Sequence, residues 1–373
     1  MASPRRKTPI VSAASAATPI SGGGRVDVLK PILAEIGGGD WVAGAGLIAA
    51  LTATAIVFCR SLENQFVFDD REMIVLNRYL GNWSFLLKSL VNDSWWFRDP
   101  AHLPQGSYYR PIQDIWLWMN FHLFALNPTG WHLASLAVHL IVVWLVFRVA
   151  SILAGDTKTG AAAALLFGLM PIHAEAVVWA TAAPIPLAAA FELGALDSYL
   201  RGGRRAVSLA LFAGALLSHE SAVAFPLLIV AYALLFGPAQ TQDGSYSASL
   251  RTALAVAFPY LLETVAYLAL RWWILGLTVG PVRSNRLSVL EAIWTFPSAI
   301  AAYGEIMTIP WFAGPAHGLE IVRSAGGPGF FVPAIAIAGL CAAIVFLLNA
   351  SPRSRLYLFC AVWILIAIAP ALN

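Results

Sequence analysis

The sequence predicts an all-α, polytopic membrane protein, and three observations support this fold class. Hydrophobic residues make up 59% of the chain and charged residues only 12%, which is about half the charged fraction of soluble domains. Apolar segments of bilayer length recur; the first, residues 41–59, carries no charge and would span about 28 Å as a helix. The 14 Trp and 20 Phe residues are typical of aromatic belts at membrane surfaces.

The chain is expected to have two regions. Residues 1–40 are rich in Ala, Ser, Gly and Pro and carry several basic residues, a composition that favours disorder. The apolar segment that follows begins too late, and is too long, for a cleaved signal peptide. We therefore expect a disordered cytoplasmic tail at 1–40 and a polytopic membrane domain at 41–373.

Basic loops between the apolar segments predict the topology. About nine transmembrane helices are expected, at residues 41–59, 131–150, 160–179, 183–200, 206–218, 221–236, 252–275, 330–349 and 356–371. Cytoplasmic loops carry an excess of Lys and Arg, and with the tail inside, the basic loops 148–158, 201–205 and 237–251 all fall inside. The rule holds at every loop if segment 292–312 lies on the outer surface, which places the C-terminus outside.

The long loop at 60–130 is expected on the outer side as ordered structure. Residues 83–90 and 112–126 have the patterning of amphipathic helices. Pro111 is well placed to begin the second one, because a proline in the first helical turn removes no hydrogen bond. The many aromatic residues of this loop favour interfacial helices, which lie in the plane of the membrane surface.

Asp69 and Asp70, just beyond the first predicted span, are the leading candidates for a catalytic role. Neighbouring side chains on extended or turn backbone point in different directions, so the two carboxylates are expected to have separate tasks. One is suited to act as a general base toward an attacking hydroxyl, and the other to orient that hydroxyl or to bind a metal. The structural alternative is an Asx turn.

Two arginines are candidates for binding an anionic group. Arg110 precedes the predicted interfacial helix, where a guanidinium binds a substrate phosphate or contacts lipid headgroups. Arg271 lies near the outer end of segment 252–275. It either neutralises an anionic lipid-linked group or extends to the interface as a structural residue.

Two outer turns combine His and Glu. His173 and Glu175 are two residues apart, which is not the i,i+4 spacing of a helical zinc site, so substrate binding or a structural role is expected. His219 and Glu220, in the next outer turn, have the same two interpretations. No cofactor is predicted from these turns, and participation of a divalent metal stays open.

Other polar residues in the predicted spans are expected to be structural. His132 and His139 are seven residues apart on one helix face, which favours packing between helices. Asp197 lies in the inner half of its span and is expected to pack or to form an ion pair.

The sequence has no P-loop, dinucleotide fingerprint, GxSxG or kinase motif. Its basic residues are scattered among short loops, which argues against nucleic acid as a partner. Chemistry driven by a cytosolic nucleotide is therefore not expected. Carboxylates on the outer side of a membrane instead favour an enzyme that acts on a lipid-linked substrate in the bilayer.

Four short motifs support a more specific interpretation. They are FVFDD at 66–70, YRP at 109–111, NPTGWHL at 127–133 followed by His139, and PIHAEAV at 171–177. In this order they resemble the membrane part of the transmembrane and tetratricopeptide-repeat O-mannosyltransferase-like family and its bacterial relatives, over roughly residues 41–371. This family belongs to the C-type glycosyltransferase (GT-C) superfamily.

The resemblance implies a GT-C-like helical bundle that carries an acidic motif in its first outer loop. It implies a hexosyl- or mannosyltransferase whose donor is a polyprenyl-phosphate sugar and whose acceptor is a protein Ser or Thr hydroxyl, or a glycan. Asp69 or Asp70 would then be the base or the acceptor-binding carboxylate. Transfer would occur at the outer face with inversion.

The sequence departs from the family pattern at two places. Relatives tend to have a Lys-Glu pair where this chain has His219 and Glu220, and a histidine is not always charged at neutral pH. Relatives also continue into further spans and a repeat domain beyond the position of Asn373. A truncated member, a fragment and a chain that relies on a separate tetratricopeptide-repeat partner are three open explanations.

Two other functions stay open at this point: a transporter or flippase for a lipid-linked sugar, and a non-catalytic subunit of a glycosylation complex. The expected location is a bacterial inner membrane with the site facing the periplasm. In a eukaryote it would be the endoplasmic reticulum membrane with the site facing the lumen.

Overall fold

A computed structural model describes residues 41–98, 108–202, 204–237, 246–276, 288–308 and 320–372. Within these ranges the chain forms α-helices and short helical turns, without β-strands. The helices, α1 to α13 in chain order, are Trp41–Phe58, Trp83–Ser89, Pro111–Phe124, Pro128–Ala154, Thr157–Leu169, Ala174–Val178, Pro184–Leu200, Arg205–Ser218, Phe225–Phe236, Tyr246–Leu275, Val289–Thr308, Pro328–Ala350 and Ser354–Ile368. The predicted all-α class is confirmed for these residues, and the predicted tail at 1–40 lies outside them.

Several helices are consistent with a multi-pass integral membrane protein. Four segments are long and apolar enough to cross a bilayer, namely Gly44–Glu63, Pro128–Ala154, Leu250–Leu275 and Pro328–Ala350. Thr157–Leu169 and Pro171–Val178, which meet at a bend of 54°, make a fifth if they count as one broken span. The other predicted spans coincide with shorter helices, so the total of nine stays a prediction.

Helix α4 is the centre of the first helical bundle, where it packs against α1, α5 and α7. Asn127 caps its start by accepting a hydrogen bond from a backbone N–H of the first turn. Gly155 ends it with a φ of 67°, a left-handed conformation that glycine adopts without strain. Asp156 then caps α5 through two backbone N–H groups. These local signals produce a tight α4–α5 hairpin.

Small residues let α1 and α5 approach closely. A Cβ atom added at Gly168 of α5 would collide with the hydroxyl group of Thr54 on α1, and one added at Gly46 would lie 2.8 Å from Ala161. Such contacts are typical of helix pairs in membranes, where close van der Waals packing drives association.

A second bundle contains α8, α9 and α10. Phe212, Phe225 and Tyr260 are completely or almost completely buried at its centre, with their rings 4.9 to 5.7 Å apart. The Tyr260 hydroxyl lies 2.7 Å from the Ser208 hydroxyl, so the polar end of this ring is satisfied inside the bundle.

The outer segment contains the two helices predicted from its patterning. Helices α2 and α3 match the predicted pieces, and Pro111 is the first residue of α3. Phe85 of α2, Leu117 of α3 and Trp131 of α4 share a buried aromatic cluster. Helix α3 contacts both α4 and α8, so its first residues lie between the two bundles.

The polar residues expected to be structural are placed accordingly. Asp197 forms ion pairs with Arg148 at 2.6 Å and with Arg201 at 3.1 Å, which confirms the predicted pairing. His132 and His139 are both buried in α4. The His139 ring packs against Phe58 and Phe167.

Candidate active site

A cavity of about 240 Å³ lies at the start of α3, between the two bundles. Four of the residues predicted to act at a site line it: Asp69, Arg110, Glu175 and His219. They come from four segments of the chain, and the first and the last of these residues are 150 positions apart. The fold therefore brings an acidic loop, a guanidinium group and a histidine to one opening.

Asp69 and Asp70 have different surroundings. Asp69 lines the cavity, whereas Asp70 is completely buried. One carboxylate oxygen of Asp70 accepts a hydrogen bond from the Val67 backbone N–H at 3.1 Å, and the other accepts one from the Thr181 backbone N–H at 2.8 Å. Asp70 thus ties the acidic loop to the segment after α6, which also lines the cavity.

The acidic loop has a constrained backbone. Phe68 has a φ of 47°, a left-handed conformation that is uncommon for a residue with a Cβ atom. Turn hydrogen bonds from Asp70 N to Val67 O and from Arg71 N to Phe68 O close the loop on both sides of this residue. These contacts hold the Asp69 side chain at the cavity.

Burial changes the proton affinity of both carboxyls. It raises the pKa of Asp69, an effect that the positive charge of Arg98 partly offsets. Burial also raises the pKa of Asp70, and the hydrogen bonds from Val67 and Thr181 act in the opposite direction. A carboxyl with a raised pKa is a stronger base once it is ionised.

Arg110 is held by two contacts. Its guanidinium donates two hydrogen bonds to Glu220, Nε to Oε2 at 2.9 Å and Nη2 to Oε1 at 2.6 Å. The group also lies 4.5 Å from the centre of the Tyr108 ring. Burial raises the pKa of Glu220, but the hydrogen bonds from Arg110 and the positive charge of Arg110 lower it to about 2. Glu220 is therefore ionised at neutral pH, and the ion pair persists.

His219 is neutral and oriented. Burial, together with the positive charge of Arg110, lowers the pKa of His219 to about 4. Its Nδ1 accepts a hydrogen bond from the Ser221 backbone N–H at 3.2 Å, so the ring proton is on Nε2. A neutral imidazole at this position can donate one hydrogen bond to a ligand in the cavity.

Arg271 and His173 occupy different places. Arg271 is buried in α10, close enough to His219 and Tyr267 to interact with them electrostatically. His173 packs its ring against His139 and Phe167, with centroids 5.3 and 4.2 Å away. Of the PIHAEAV motif, Glu175 is exposed and lines the cavity.

Several cavity residues were not found by sequence reasoning. Ser94, Gln113 and Trp179 line the cavity, and Asp114 is buried beside it at the start of α3. Burial, with the negative charge of Asp93 adding to it, raises the pKa of Asp114 well above its ordinary value. The adjacent polar residues in the first turn of a mostly apolar helix are a signal that could have found Gln113 and Asp114.

Within the described ranges, no three His, Cys, Asp or Glu side chains are grouped closely enough to hold a metal ion.

The fold and the cavity together define a helical, multi-pass type of membrane protein with a mixed acidic and basic site. The chain is 31% identical over 135 residues to protein O-mannosyl-transferase Tmtc1 of Drosophila melanogaster, which covers 36% of this chain and 15% of the fly protein. It is 32% identical over 144 residues to human protein O-mannosyl-transferase TMTC3, covering 39% and 16%. With human TMTC1 it shares 31% identity over 176 residues, covering 44% and 20%.

This chain is therefore a distant homologue of the TMTC protein O-mannosyl-transferases, as the four motifs predicted. The matched regions span about one sixth to one fifth of the length of these relatives. No family model matches the chain, and no solved structure matches it.

Proposed function

We propose that this chain is a membrane glycosyltransferase that moves a sugar from a polyprenyl-phosphate donor to an acceptor hydroxyl, with inversion. The observation that carries the proposal is the convergence of Asp69, Arg110 and His219 on one cavity. The distant homology to protein O-mannosyl-transferases supports the same class of reaction. It also makes a protein Ser or Thr the preferred acceptor and mannose the first sugar to test.

Asp69 is the proposed general base. It takes the proton of the acceptor hydroxyl as that oxygen attacks the anomeric carbon from the face opposite the phosphate. The new carbon–oxygen bond forms while the bond from the anomeric carbon to the phosphate oxygen breaks, and its electron pair leaves with the phosphate. Asp70, tied to Val67 and Thr181, fixes the loop that carries the base.

The leaving phosphate is assigned to the side of the cavity formed by Arg110 and His219. Negative charge grows on this phosphate as the bond breaks, and oriented donors stabilise such charge. Glu220 holds the Arg110 guanidinium in place and offsets part of its charge, while Nε2–H of His219 and the nearby charge of Arg271 add to the stabilisation. A phosphate leaves as an anion, so a general acid is not required.

The proposal includes nine transmembrane spans in a GT-C-like bundle. This arrangement would place the cavity at the outer face of the membrane, where lipid-linked sugars are the expected donors. In a bacterium this face is the periplasmic side of the inner membrane, and in a eukaryote it is the lumenal side of the endoplasmic reticulum. A separate tetratricopeptide-repeat protein is a candidate partner.

Replacing Asp69 by Asn tests the proposed base. Purified protein in lipid nanodiscs is given polyprenyl-phosphate mannose and a Ser/Thr-rich peptide, and sugar transfer is measured. We expect Asp69→Asn to lower the rate at least 100-fold, because general base catalysis contributes about 10²–10⁴-fold. Asp70→Asn should lower it less, because Asp70 only fixes the loop and an amide oxygen can still accept one of the two backbone N–H groups that Asp70 binds.

Asp156→Asn is the matched control for this experiment. Asp156 caps α5 away from the cavity, and Asn is an equally good cap, so its transfer rate should equal that of the wild type. Full activity of Asp69→Asn would contradict the proposed base. Loss of activity in Asp70→Asn alone would move the role of base to Asp70.

The transporter is the alternative function. A transport path requires charged groups within the spans that can meet a substrate, and Glu263 in α10 has a buried carboxylate oxygen without a hydrogen-bond partner among the described residues. If lipid-linked sugar crossed the bilayer in vesicles without any transfer to a hydroxyl, this alternative would replace the enzyme.

A further inference from the structure

Polar atoms without a hydrogen-bond partner occur at several places in the cavity wall within the described part of the protein. Three of the side chains that carry them are Ser94, Gln113 and Trp179. The Ser94 hydroxyl oxygen and the Trp179 Nε1 are buried without a hydrogen-bond partner. Ser94 and Gln113 are only 1% and 3% exposed. Most buried polar groups in native proteins are hydrogen-bonded. The unpartnered groups of Ser94 and Trp179, in the same cavity wall as the Gln113 amide, therefore indicate where a ligand completes the bonds.

The amide of Gln113 is oriented by its neighbours. Its Nε2 donates to the Thr181 carbonyl oxygen at 3.4 Å and faces Met73 Sδ at 3.6 Å. Both neighbours are acceptors, which requires the NH₂ group on that side. Oε1 is consequently the atom of this amide that is left to accept a hydrogen bond. The Thr181 peptide is held between Asp70 and Gln113, which makes this part of the wall rigid.

The three groups select the chemistry of the ligand. Gln113 Oε1 can only accept, Trp179 Nε1 can only donate, and the Ser94 hydroxyl can do both. A phosphate only accepts and would leave Oε1 without a donor, and a hydrocarbon would satisfy none of the three groups. A ring that carries several hydroxyl groups both donates and accepts, so it satisfies all of them.

The size of the cavity agrees with a single sugar ring. Its volume of about 240 Å³ lies just below the range of roughly 300–1,000 Å³ typical of pockets for drug-sized ligands, which suits a small ligand such as one pyranose ring. We infer that Ser94, Gln113 and Trp179 form the subsite for the pyranose ring of the donor. This inference rests on the proposed function, because it assigns the sugar of that donor to one wall of the cavity.

Binding of two lipids tests the subsite without any turnover. The probes are polyprenyl-phosphate mannose and the same polyprenyl phosphate without a sugar, titrated into full-length Asp69→Asn protein in nanodiscs. We expect Ser94→Ala and Gln113→Leu each to weaken binding of the mannose-bearing lipid about tenfold, the effect of one lost hydrogen bond that leaves a substrate hydroxyl unpaired. Binding of the sugar-free lipid should not change.

Two further variants make the comparison selective. Ser135→Ala is the matched control. Ser135 is as buried as Ser94 and also lacks a hydrogen-bond partner among the described residues, but it lies in α4 and is not among the residues that line the cavity. This variant should bind both lipids as the parent protein does. Trp179→Phe removes the N–H group and keeps an aromatic ring, and it should behave like Ser94→Ala. Thermal unfolding confirms that each variant is folded.

The outcomes separate this inference from the proposed function. Equal weakening for both lipids, no weakening for either, or failure of the parent protein to prefer the mannose-bearing lipid would overturn the sugar subsite. Persistent transfer by Asp69→Asn would overturn the proposed base. The sugar subsite would still be supported after that result if binding of the mannose-bearing lipid were weakened in Ser94→Ala, Gln113→Leu and Trp179→Phe.

Discussion

Asp69 and Asp70 differ more in their surroundings than adjacent residues usually do. Asp70 uses both carboxylate oxygens on backbone N–H groups and is buried, while Asp69 lines the cavity. The sequence predicted that the two side chains diverge, because neighbours on a turn point in different directions. It could not rank them, because Thr181, the partner that distinguishes Asp70, is 111 residues away.

The charge of Arg98 provides a pH test of the proposed base. Asp69 must be ionised to accept a proton, so activity is lost as the pH falls through its pKa. Burial raises that pKa, and Arg98 lowers it. Arg98→Gln removes the lowering effect, and the acidic limb of kcat/KM should move to higher pH.

Arg78→Gln is the control for this pH experiment. Arg78 is an exposed residue of the same outer segment, and Asp69 is influenced by Arg98 instead. Its pH profile should coincide with that of the wild type. A shift of the Arg98→Gln limb to lower pH, or no shift, would be incompatible with Asp69 as the titrating base.

At the scale of elements, the sequence predicted helices that have local start and stop signals. It did not predict which residues between the helices line the cavity. Pro111 and the patterning after it predicted α3 correctly. Ser94 and Trp179 lie instead in turns between helices, where no periodicity reveals which side faces inward. Their role depends on how α3, α4 and the acidic loop meet, which is a property of tertiary packing.

The close contact between α1 and α5 predicts a strong effect of side-chain size. Gly168→Val should destabilise the protein by about 1–3 kcal/mol, because the new atoms collide with Thr54 and the helices must separate. Thermal unfolding in detergent measures the change. Gly339→Val is the control, since nothing lies within 4 Å of a Cβ atom there. Equal melting temperatures of the two variants would show that the α1–α5 contact is loose.

At the scale of the whole molecule, the proposed topology places the outer segment and the α4–α5 turn on opposite sides of the membrane. Lys88 and Lys158 are both exposed and mark these two sides. In a variant without Cys59, Cys341 and Cys360, a membrane-impermeant maleimide added outside should label Lys88→Cys and not Lys158→Cys. Outside labelling of Lys158→Cys and not of Lys88→Cys would show the inverted topology. Labelling of both positions only after permeabilisation would place both on the inside and refute the topology.

The ion pair between Arg110 and Glu220 also bears on how the protein is made. The two residues are 110 positions apart, and at roughly 5–20 residues per second the ribosome needs about 5–20 s to add that length. During this interval the newly inserted chain exposes an arginine whose eventual partner has not been synthesised. The ion pair on this side of the cavity is therefore completed only after the residues that follow α8 have been synthesised.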